Sequence, residues 1–253
     1  DILMVWGGIS ASATAAVNGA AIDKMITATP SHATNIWPGG VIQTDRLHTL
    51  TKDGFFWKGQ SGLAQADTNE TTIKQTTLTV GILKTSATAD FGRFDDMRFD
   101  GNKTVDDVVL LDTGSQGQHE FNRCNIRGNS GASGKGVLHI KVILVKLNNC
   151  IIGYNEGSGL VIENPGLDFE MNGGFIGFSA TGAIANTAGL VIVDGKESVF
   201  RGVAFESNGT VGTVTTGAII KGVGGAFFYN CTEETNVNFV FRVTGGNDIV
   251  VQD

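Results

Sequence analysis

Short runs in which apolar and polar residues alternate recur along this chain, and they fall into one nine-residue motif. In the reference copy, Phe121–Asn129, the first, fourth and sixth positions are apolar. Copies begin at residues 94, 121, 147, 171, 200 and 228, so successive copies are 24 to 29 residues apart. A repeat of this length, built from short strands and bends rich in Asn and Gly, is typical of a β-solenoid.

A second series of short apolar strands lies between the motif copies and keeps the same period. Its members are Val108–Leu111, Val137–Ile140, Gly159–Ile162, Gly189–Ile192, Gly217–Ile220 and Asn238–Phe241. Within the motif, the two-residue alternation of a strand turns positions four and six inward and positions five and seven outward. The two series predict an all-β fold, a single-stranded parallel β-helix whose turns stack on one another.

The segment before the first repeats predicts a helix over residues 14–28, which Pro30 ends. Its apolar residues recur every three to four positions, at Val17, Ala20, Ala21, Met25 and Ala28. Because the open end of a solenoid exposes unpaired strand edges, we expect this helix to cap it. The chain then divides into an entry strand and capping helix, residues 1–35, and the parallel β-helix, residues 36–253.

Composition supports a folded, strand-rich chain and excludes two classes of partner. The chain has 36 Gly and only 3 Pro, with 41% hydrophobic and 17% charged residues, which indicates many tight turns. The net charge of −7 argues against binding to a nucleic-acid backbone. No run of apolar residues approaches the length of a membrane span, so no membrane insertion is predicted.

The three cysteines, Cys124, Cys150 and Cys231, all take the fourth position of the motif. This position faces inward, so they are predicted to be buried free thiols. Cys124 and Cys150 lie on neighbouring turns, and a disulfide between them stays open as the alternative. Their spacing does not match a metal site.

Polar positions predict an outer surface that is mostly structural. Positions two and three carry Asn or Asp in most copies, as at Asn122, Asn148, Asn149 and Asn230, and these residues predict an Asn ladder along one corner of the solenoid. Charges of alternating sign precede successive copies, at Arg93, Glu120, Lys146 and Glu170, which predicts ion pairs between neighbouring turns. His139, between two apolar residues of the second series, is predicted to face outward as an exposed residue.

One pair of carboxylates differs from this pattern. Glu206 and Glu234 take position seven of consecutive copies, with Glu233 beside them and no basic neighbour in the column. Two stacked carboxylates that share a proton raise the pKa of one of them. A protonated and an ionised carboxyl about 5–5.5 Å apart form the catalytic pair of a retaining glycosidase. Glu206 and Glu234 are therefore the candidate catalytic residues; the alternative is a solvated acidic edge.

Aromatic residues supply the candidate substrate contacts. Trp57 and Tyr229 are expected to stack on sugar rings, and Glu233 to contact the substrate beside the catalytic pair. For Trp57 the alternative is a place in the core, because it follows Phe55 and Phe56 within a strand. The sequence shows no Ser-His-Asp set, phosphate-binding loop or metal cluster, so no cofactor or metal is predicted.

The start of the chain resembles a known family. A short helix rich in Ala and Ile, then Pro38-Gly39-Gly40 leading into a strand, then Gly59-Gln60-Ser61-Gly62, is similar to the start of pectate-lyase-like right-handed parallel β-helix proteins. The resemblance runs from about Ala13 to the C-terminus and is closest to bacteriophage tailspike and tail-fibre proteins. The Gly-Asp-Gly-x-x-Asp-Asp-Thr segment that precedes the helix in that family is absent. The resemblance implies a right-handed helix, a homotrimer, contacts with other virion tail proteins and a virion or extracellular location.

Two functions follow as hypotheses. The first is a tailspike or tail-fibre segment that binds a host surface polysaccharide, with or without cleaving it as a glycoside hydrolase or polysaccharide lyase. The second is a non-catalytic structural or adhesive fibre in which the solenoid only spaces and displays loops. The Asn-Thr-Asp, Gly-His-Gly and Arg-Ile-Lys signatures of polygalacturonases are missing, which favours the second. Substitution of Glu206 and Glu234 distinguishes the two.

Overall fold

The computed structural model describes residues 3–5, 8–60, 70–86, 88–112, 117–131, 135–182, 187–209, 216–220, 225–234, 241–243 and 248–252. Within these ranges the chain forms one helix, α1 (Ala15–Ala28), and the strands that follow. The strands are β1 (Leu3–Val5), β2 (Thr34–Ile36), β3 (Gly40–Thr44), β4 (His48–Leu50), β5 (Phe55–Lys58), β6 (Thr71–Gln75), β7 (Leu83–Thr85), β8 (Phe91–Asp95), β9 (Arg98–Thr104), β10 (Val109–Leu111), β11 (Gln118–Asn122), β12 (Asn125–Asn129), β13 (Gly136–Ile140), β14 (Leu144–Gly153), β15 (Ser158–Gly177), β16 (Ala188–Arg201), β17 (Ala204–Glu206), β18 (Thr216–Ile220), β19 (Gly225–Tyr229), β20 (Thr232–Glu234), β21 (Phe241–Val243) and β22 (Ile249–Gln252). The predicted strand Asn238–Phe241 lies outside the described residues except for its last residue.

The strands stack in parallel into three sheets that run along the solenoid. Sheet A contains β1, β2, β5, β8 and β11, then parts of β14, β15 and β16, and finally β19 and β22. Sheet B contains β3, β6, β9 and β12, the ends of β14 and β15, and then β17 and β20. Sheet C contains β4, β7, β10 and β13, the starts of β15 and β16, and then β18 and β21. The predicted all-β parallel solenoid is confirmed.

The motif copies stack in register, and their first positions form a column through the core. Phe121 pairs with Phe94 in the strand below and with Leu147 in the strand above. The Phe94 and Phe121 rings stack with centroids 4.7 Å apart, and the Phe200 and Phe228 rings stack at 4.9 Å. All five side chains are buried. Stacked rings of this kind add to the free energy gained by burying their apolar surface.

The predicted helix is confirmed and packs on one end of the solenoid. Thr14 caps its N-terminus, where the side-chain oxygen accepts a hydrogen bond from the Val17 amide at 3.4 Å. The helix also contacts the strands through His48, which is buried. Nδ1 of His48 lies 2.7 Å from Oδ1 of Asp23 on the helix, and Nε2 of His48 lies 2.7 Å from Oγ1 of Thr44. His48 thus links a polar side chain of the helix, Asp23, to Thr44 on a strand.

Two ladders of polar side chains follow the corners of the motif. At position two, Nδ2 of Asn122 donates to Asp95 at 2.7 Å, Asn148 donates to Asn122 at 2.8 Å and Asn172 donates to Asn148 at 3.2 Å. The predicted amide ladder is confirmed. The backbone bends just after it, since position three has positive φ in every copy: Asp96 (57°), Arg123 (52°), Asn149 (51°), Gly173 (63°), Gly202 (60°) and Asn230 (48°).

A second ladder, which the sequence analysis did not predict, is buried at position nine of the motif. Its members are Asn129, Asn155, Ser179 and Asn208, all less than 4% exposed. Asn155 accepts hydrogen bonds from the Gly128 and Asn129 amides, and its Nδ2 donates to Oγ of Ser179 at 3.1 Å. These amides therefore satisfy backbone donors inside the corner rather than at the surface.

The cysteines of the motif are free thiols, as predicted for Cys124, Cys150 and Cys231. Cys124 and Cys150 are buried, and their thiols donate to the carbonyl oxygens of Phe94 and Phe121, each at 3.3 Å. Burial raises the pKa of the Cys124 thiol well above its usual value. A buried thiol with a raised pKa is chemically inert and serves here as a small core residue.

The predicted exposure of His139 is wrong. Leu138 and Ile140 face the core as expected, but His139 on the opposite side is only 2% exposed. Its Nδ1 lies 3.1 Å from Asp107 and its Nε2 lies 2.9 Å from Glu163. Burial acts to raise the pKa of Glu163, but the hydrogen bond from His139 and the charge of Lys141 outweigh it, so this pKa lies below its usual value. Alternation predicted the direction of His139, but both faces of β13 are covered.

Buried His119 is expected to make the fold less stable in mild acid. Its ring packs on Phe55 with centroids 6.0 Å apart, and burial lowers its pKa to about 4 against an opposing effect of the Asp90 charge. An unfolded His titrates near 6.5, so between about pH 6.5 and 4 the unfolded chain binds the proton first and stability falls as the pH drops. This shift corresponds to a loss of up to about 3 kcal/mol.

Urea unfolding of the parent and of His119→Leu across this pH range tests the effect of His119. The variant is expected to lose less stability between pH 6.5 and pH 4 than the parent, because leucine does not titrate. His48, whose pKa burial also lowers, is present in both proteins and cancels in the comparison. Parallel pH profiles for the two proteins would contradict the prediction.

Candidate functional site

The two candidate catalytic residues lie on neighbouring strands of sheet B. Glu206 ends β17, and Glu234 ends β20 directly opposite it in the parallel register. We call one strand level of a sheet a rung; neighbouring rungs are about 4.8 Å apart. Phe205 points into the core, so Glu206 points outward; Glu206 is half-buried and Glu234 is exposed. The motif alignment predicted this stacking correctly.

The charge of the outward-facing residues in the column below the two glutamates changes along sheet B. At the lower end of this column Arg127 forms a two-pronged ion pair with Asp100, with N–O distances of 2.8 and 3.1 Å. Gly153 and Gly177 occupy the next two rungs, and Glu206 follows Gly177. Neither Glu206 nor Glu234 forms an ion pair with any residue in the described ranges. The upper end of the column is therefore acidic, whereas the carboxylate lower in the column, Asp100, is paired with Arg127.

Three aromatic rings lie beside this column, and we call them the aromatic cluster: Tyr154, Phe175 and Phe178. The Tyr154 and Phe178 rings stack with centroids 5.0 Å apart and planes inclined by 20°. Phe175 approaches Phe178 at 5.8 Å and Tyr154 at 6.5 Å. A Cβ at Gly177 would overlap the Phe175 ring, so the glycine gives this ring room to lie over the strand. Tyr154 is 37% exposed and both phenylalanines are half-buried.

The aromatic cluster and the carboxylates share consecutive rungs. The Tyr154 amide donates to the Gly177 carbonyl at 3.1 Å, and the Phe178 amide donates to the Glu206 carbonyl at 3.0 Å. The cluster thus ends one rung below Glu206 and two rungs below Glu234. The sequence analysis missed it, although Tyr154 and Phe178 both take position eight of successive motif copies. Because the copies stack in register, that coincidence could have predicted the ring contact.

The other predicted contact residues are distributed over three places. Glu233 lies beside Glu234 and is exposed, opposite Phe205 of the rung below. Tyr229 lies on sheet A, around the corner from the glutamates, and the Arg201 guanidinium lies 5.3 Å from the centre of its ring.

Trp57 is in the core, which corrects its expected role in sugar stacking. It is 2% exposed and packs against Trp37, with ring centroids 4.7 Å apart, and against Phe94 at 5.6 Å. The alternative interpretation, that Trp57 fills the first turns of the core, is therefore the one that the structure supports. Its burial follows from its register, since Trp57 pairs with Phe94 at the base of the internal aromatic column.

Sheet A carries a separate groove of about 850 Å³ near the N-terminal end of the solenoid. Its outward side chains include Phe56, Lys58, Phe91, Arg93, Gln118, Glu120 and Lys146. The predicted charge ladder runs through it: Arg93 lies 4.0 Å from Glu120, and Lys146 lies 3.6 Å from Glu170. Arg93 also holds Asp95 at 2.9 Å. Three of the charged residues of this groove, Arg93, Glu120 and Lys146, thus have a partner of opposite charge on a neighbouring strand.

The described ranges contain neither a metal-binding cluster nor a membrane-spanning helix. Among these residues, no group of His, Cys, Asp and Glu side chains is arranged to hold a metal ion. The helix in the same part of the chain is too short and too polar to cross a membrane.

No protein-family model and no curated protein sequence matches the chain. One solved structure, "Geobacillus virus E2 - ORF18", matches with a TM-score of 0.67 and 14% sequence identity. The likeness is one of fold. The match covers 98% of this chain and 52% of that protein, so the chain spans about half the length of its structural neighbour. Membership of the pectate-lyase-like family, right-handedness and a tailspike identity stay predictions.

Proposed function

We propose that this chain is part of a phage tail protein that binds a host surface polysaccharide on the outer face of sheet B and hydrolyses it with Glu206 and Glu234. The observation that carries the proposal is the register of these two glutamates on neighbouring rungs, one rung from a partly exposed aromatic cluster. The phage origin of the structural neighbour supports the phage assignment. The tail location, the homotrimer and contacts with other tail proteins belong to the same proposal.

The chemistry follows from two carboxyl groups at strand spacing. One carboxylic acid donates its proton to the glycosidic oxygen as the bond to the anomeric carbon breaks, and the other carboxylate attacks that carbon. A water molecule, deprotonated by the first group, then displaces the carboxylate and releases the sugar. A carboxyl separation of about 5–5.5 Å suits this retaining reaction, and the spacing of about 4.8 Å between neighbouring strands, close to that distance, supports the pairing of Glu206 with Glu234.

Substitution of the glutamates tests the proposal. Glu206→Gln and Glu234→Gln are each expected to lower the release of oligosaccharide from host polysaccharide by at least about a hundredfold, because glutamine neither donates the proton nor attacks the sugar. Polysaccharide binding and the mass measured by light scattering are expected to stay unchanged. Glu120→Gln, a matched change on sheet A, is expected to keep full activity.

The second candidate function, a non-catalytic adhesive or structural fibre, is supported by the paired charges of sheet A. There Arg93 with Glu120 and Lys146 with Glu170 neutralise each other without any ligand. A trimer that binds polysaccharide without releasing oligosaccharide would favour this candidate and refute hydrolysis. A monomer that neither binds nor cleaves would refute both candidates.

A further inference from the structure

We propose that the aromatic cluster is a sugar-stacking subsite and that the glycan it selects is neutral or carries amino groups, rather than uronic acids. This inference rests on the proposed function for the nature of the ligand, a polysaccharide, and adds the residues that hold it and the chemical class they accept.

The shape of the cluster suits the apolar face of a pyranose ring. Tyr154 and Phe178 stack at 5.0 Å with planes inclined by 20°, so they act as one platform across two rungs. Phe175 packs against both rings and fills the space that Gly177 leaves open. Aromatic rings supply a large contact area with little flexibility, and Tyr154 adds a hydroxyl that can hydrogen-bond a sugar.

The backbone at this corner determines where the two rings of the platform lie. Position eight has positive φ in four successive copies: Gly128 (87°), Tyr154 (58°), Phe178 (50°) and Ser207 (51°). Gly adopts this conformation freely, whereas bulky residues do so at a cost. The same conformation recurs at position three, for example at Arg123 and Asn149, so it belongs to the bends of the solenoid; at position eight it holds the Tyr154 and Phe178 rings next to each other.

The charges around the cluster determine which sugars it accepts. Below it, Arg127 is paired with Asp100, and at the same corner Glu156 is paired with Lys103 at 2.6 Å. Above it, Glu206 and Glu234 form no ion pair with the residues that the structure describes. A uronic-acid carboxylate placed on the cluster would face these two like charges, whereas a hydroxyl or an amino group would not be repelled.

Binding of defined hexasaccharides tests the subsite. The probes are the hexamers of N-acetylglucosamine, glucosamine, glucose and galacturonic acid, measured by titration calorimetry at low ionic strength. We expect the parent protein to bind at least one of the neutral or amino-sugar hexamers at least about tenfold more tightly than the galacturonate hexamer. Tyr154→Ser/Phe178→Ser, which copies the serine of the next rung, is expected to lose at least about tenfold in that affinity.

Two control variants separate stacking from charge. Phe91→Ser removes a 43% exposed aromatic side chain on sheet A and is expected to leave the affinity unchanged. Glu206→Gln/Glu234→Gln is expected to bind the galacturonate hexamer more tightly than the parent does. The difference in affinity between this hexamer and the neutral or amino-sugar hexamers then becomes smaller. Circular dichroism and thermal unfolding confirm that each variant is folded.

Four results would overturn the inference. They are a parent that binds no hexamer, a parent that prefers the galacturonate hexamer, a folded cluster variant with unchanged affinity, and a cluster variant whose mass drops from trimer to monomer. The last result would make the cluster a subunit contact.

The proposed hydrolysis and the proposed subsite can be refuted independently of each other. If Glu206→Gln cleaves host polysaccharide as the parent does while the cluster variant loses hexamer binding, hydrolysis is refuted and the subsite stands. If the parent cleaves and the cluster variant binds hexamers normally, the subsite is refuted and hydrolysis stands.

Discussion

Replacement of Asn155 by alanine is expected to lower the free energy of unfolding by about 3–4 kcal/mol. The side chain is 3% exposed, and its Oδ1 accepts hydrogen bonds from the Gly128 amide at 2.7 Å and the Asn129 amide at 3.1 Å. Its Nδ2 donates to Oγ of Ser179 at 3.1 Å. Alanine leaves both buried N–H groups without this acceptor, and each such group costs about 1–3 kcal/mol.

Urea unfolding with a matched asparagine on the outer ladder tests this prediction. Asn172→Ala removes a half-buried amide that donates to Asn148 at 3.2 Å, where water can replace the lost contact. Its expected cost is below about 1 kcal/mol. If the two variants lose the same free energy of unfolding, the buried ladder stabilises the fold no more than the outer ladder does.

The period and register of the solenoid could be read from the sequence because they depend on local alternation. The first motif position predicts that Phe94, Phe121 and Leu147 stack, and the structure pairs them in that order. The buried ladder was harder to recognise. Asn129 and Asn155 look like ordinary corner asparagines in the sequence, since the same residue type serves an exposed bend and a buried one.

The candidate site, too, could be predicted only in part from the alternation of residues. Alternation predicted that Glu206 and Glu234 share an outward column, since it fixes the side of a strand to which a residue points. It does not predict whether that side is covered. His139 points outward yet is buried beside Asp107 and Glu163. The contact between Tyr154 and Phe178 depends on bends that place side chains of two turns together, which alternation within one strand does not describe.

The buried ion pair between Arg98 and Glu70 supplies the second large expected effect. Nη1 of Arg98 lies 3.1 Å from Oε2 of Glu70, and the two side chains are 8% and 1% exposed. Removing the cation from such a pair leaves the carboxylate in a poorly solvated place without that partner, which costs about 3–5 kcal/mol. Arg98→Met is therefore expected to lower the free energy of unfolding by about 4 kcal/mol.

A double-variant cycle tests this pair. It separates the cost of leaving one charge buried without its partner from the cost of replacing both side chains. Because two apolar side chains bury no charge, Glu70→Leu/Arg98→Met is expected to recover more than half of the loss seen in Arg98→Met alone. Arg123→Met serves as the exposed control: Arg123 forms a two-pronged pair with Asp96 at 2.7 and 2.8 Å, but its side chain is 51% exposed. Its expected cost is below about 1 kcal/mol, since water screens that pair. If Arg98→Met unfolds at the same urea concentration as Arg123→Met, burial does not set the strength of the pair.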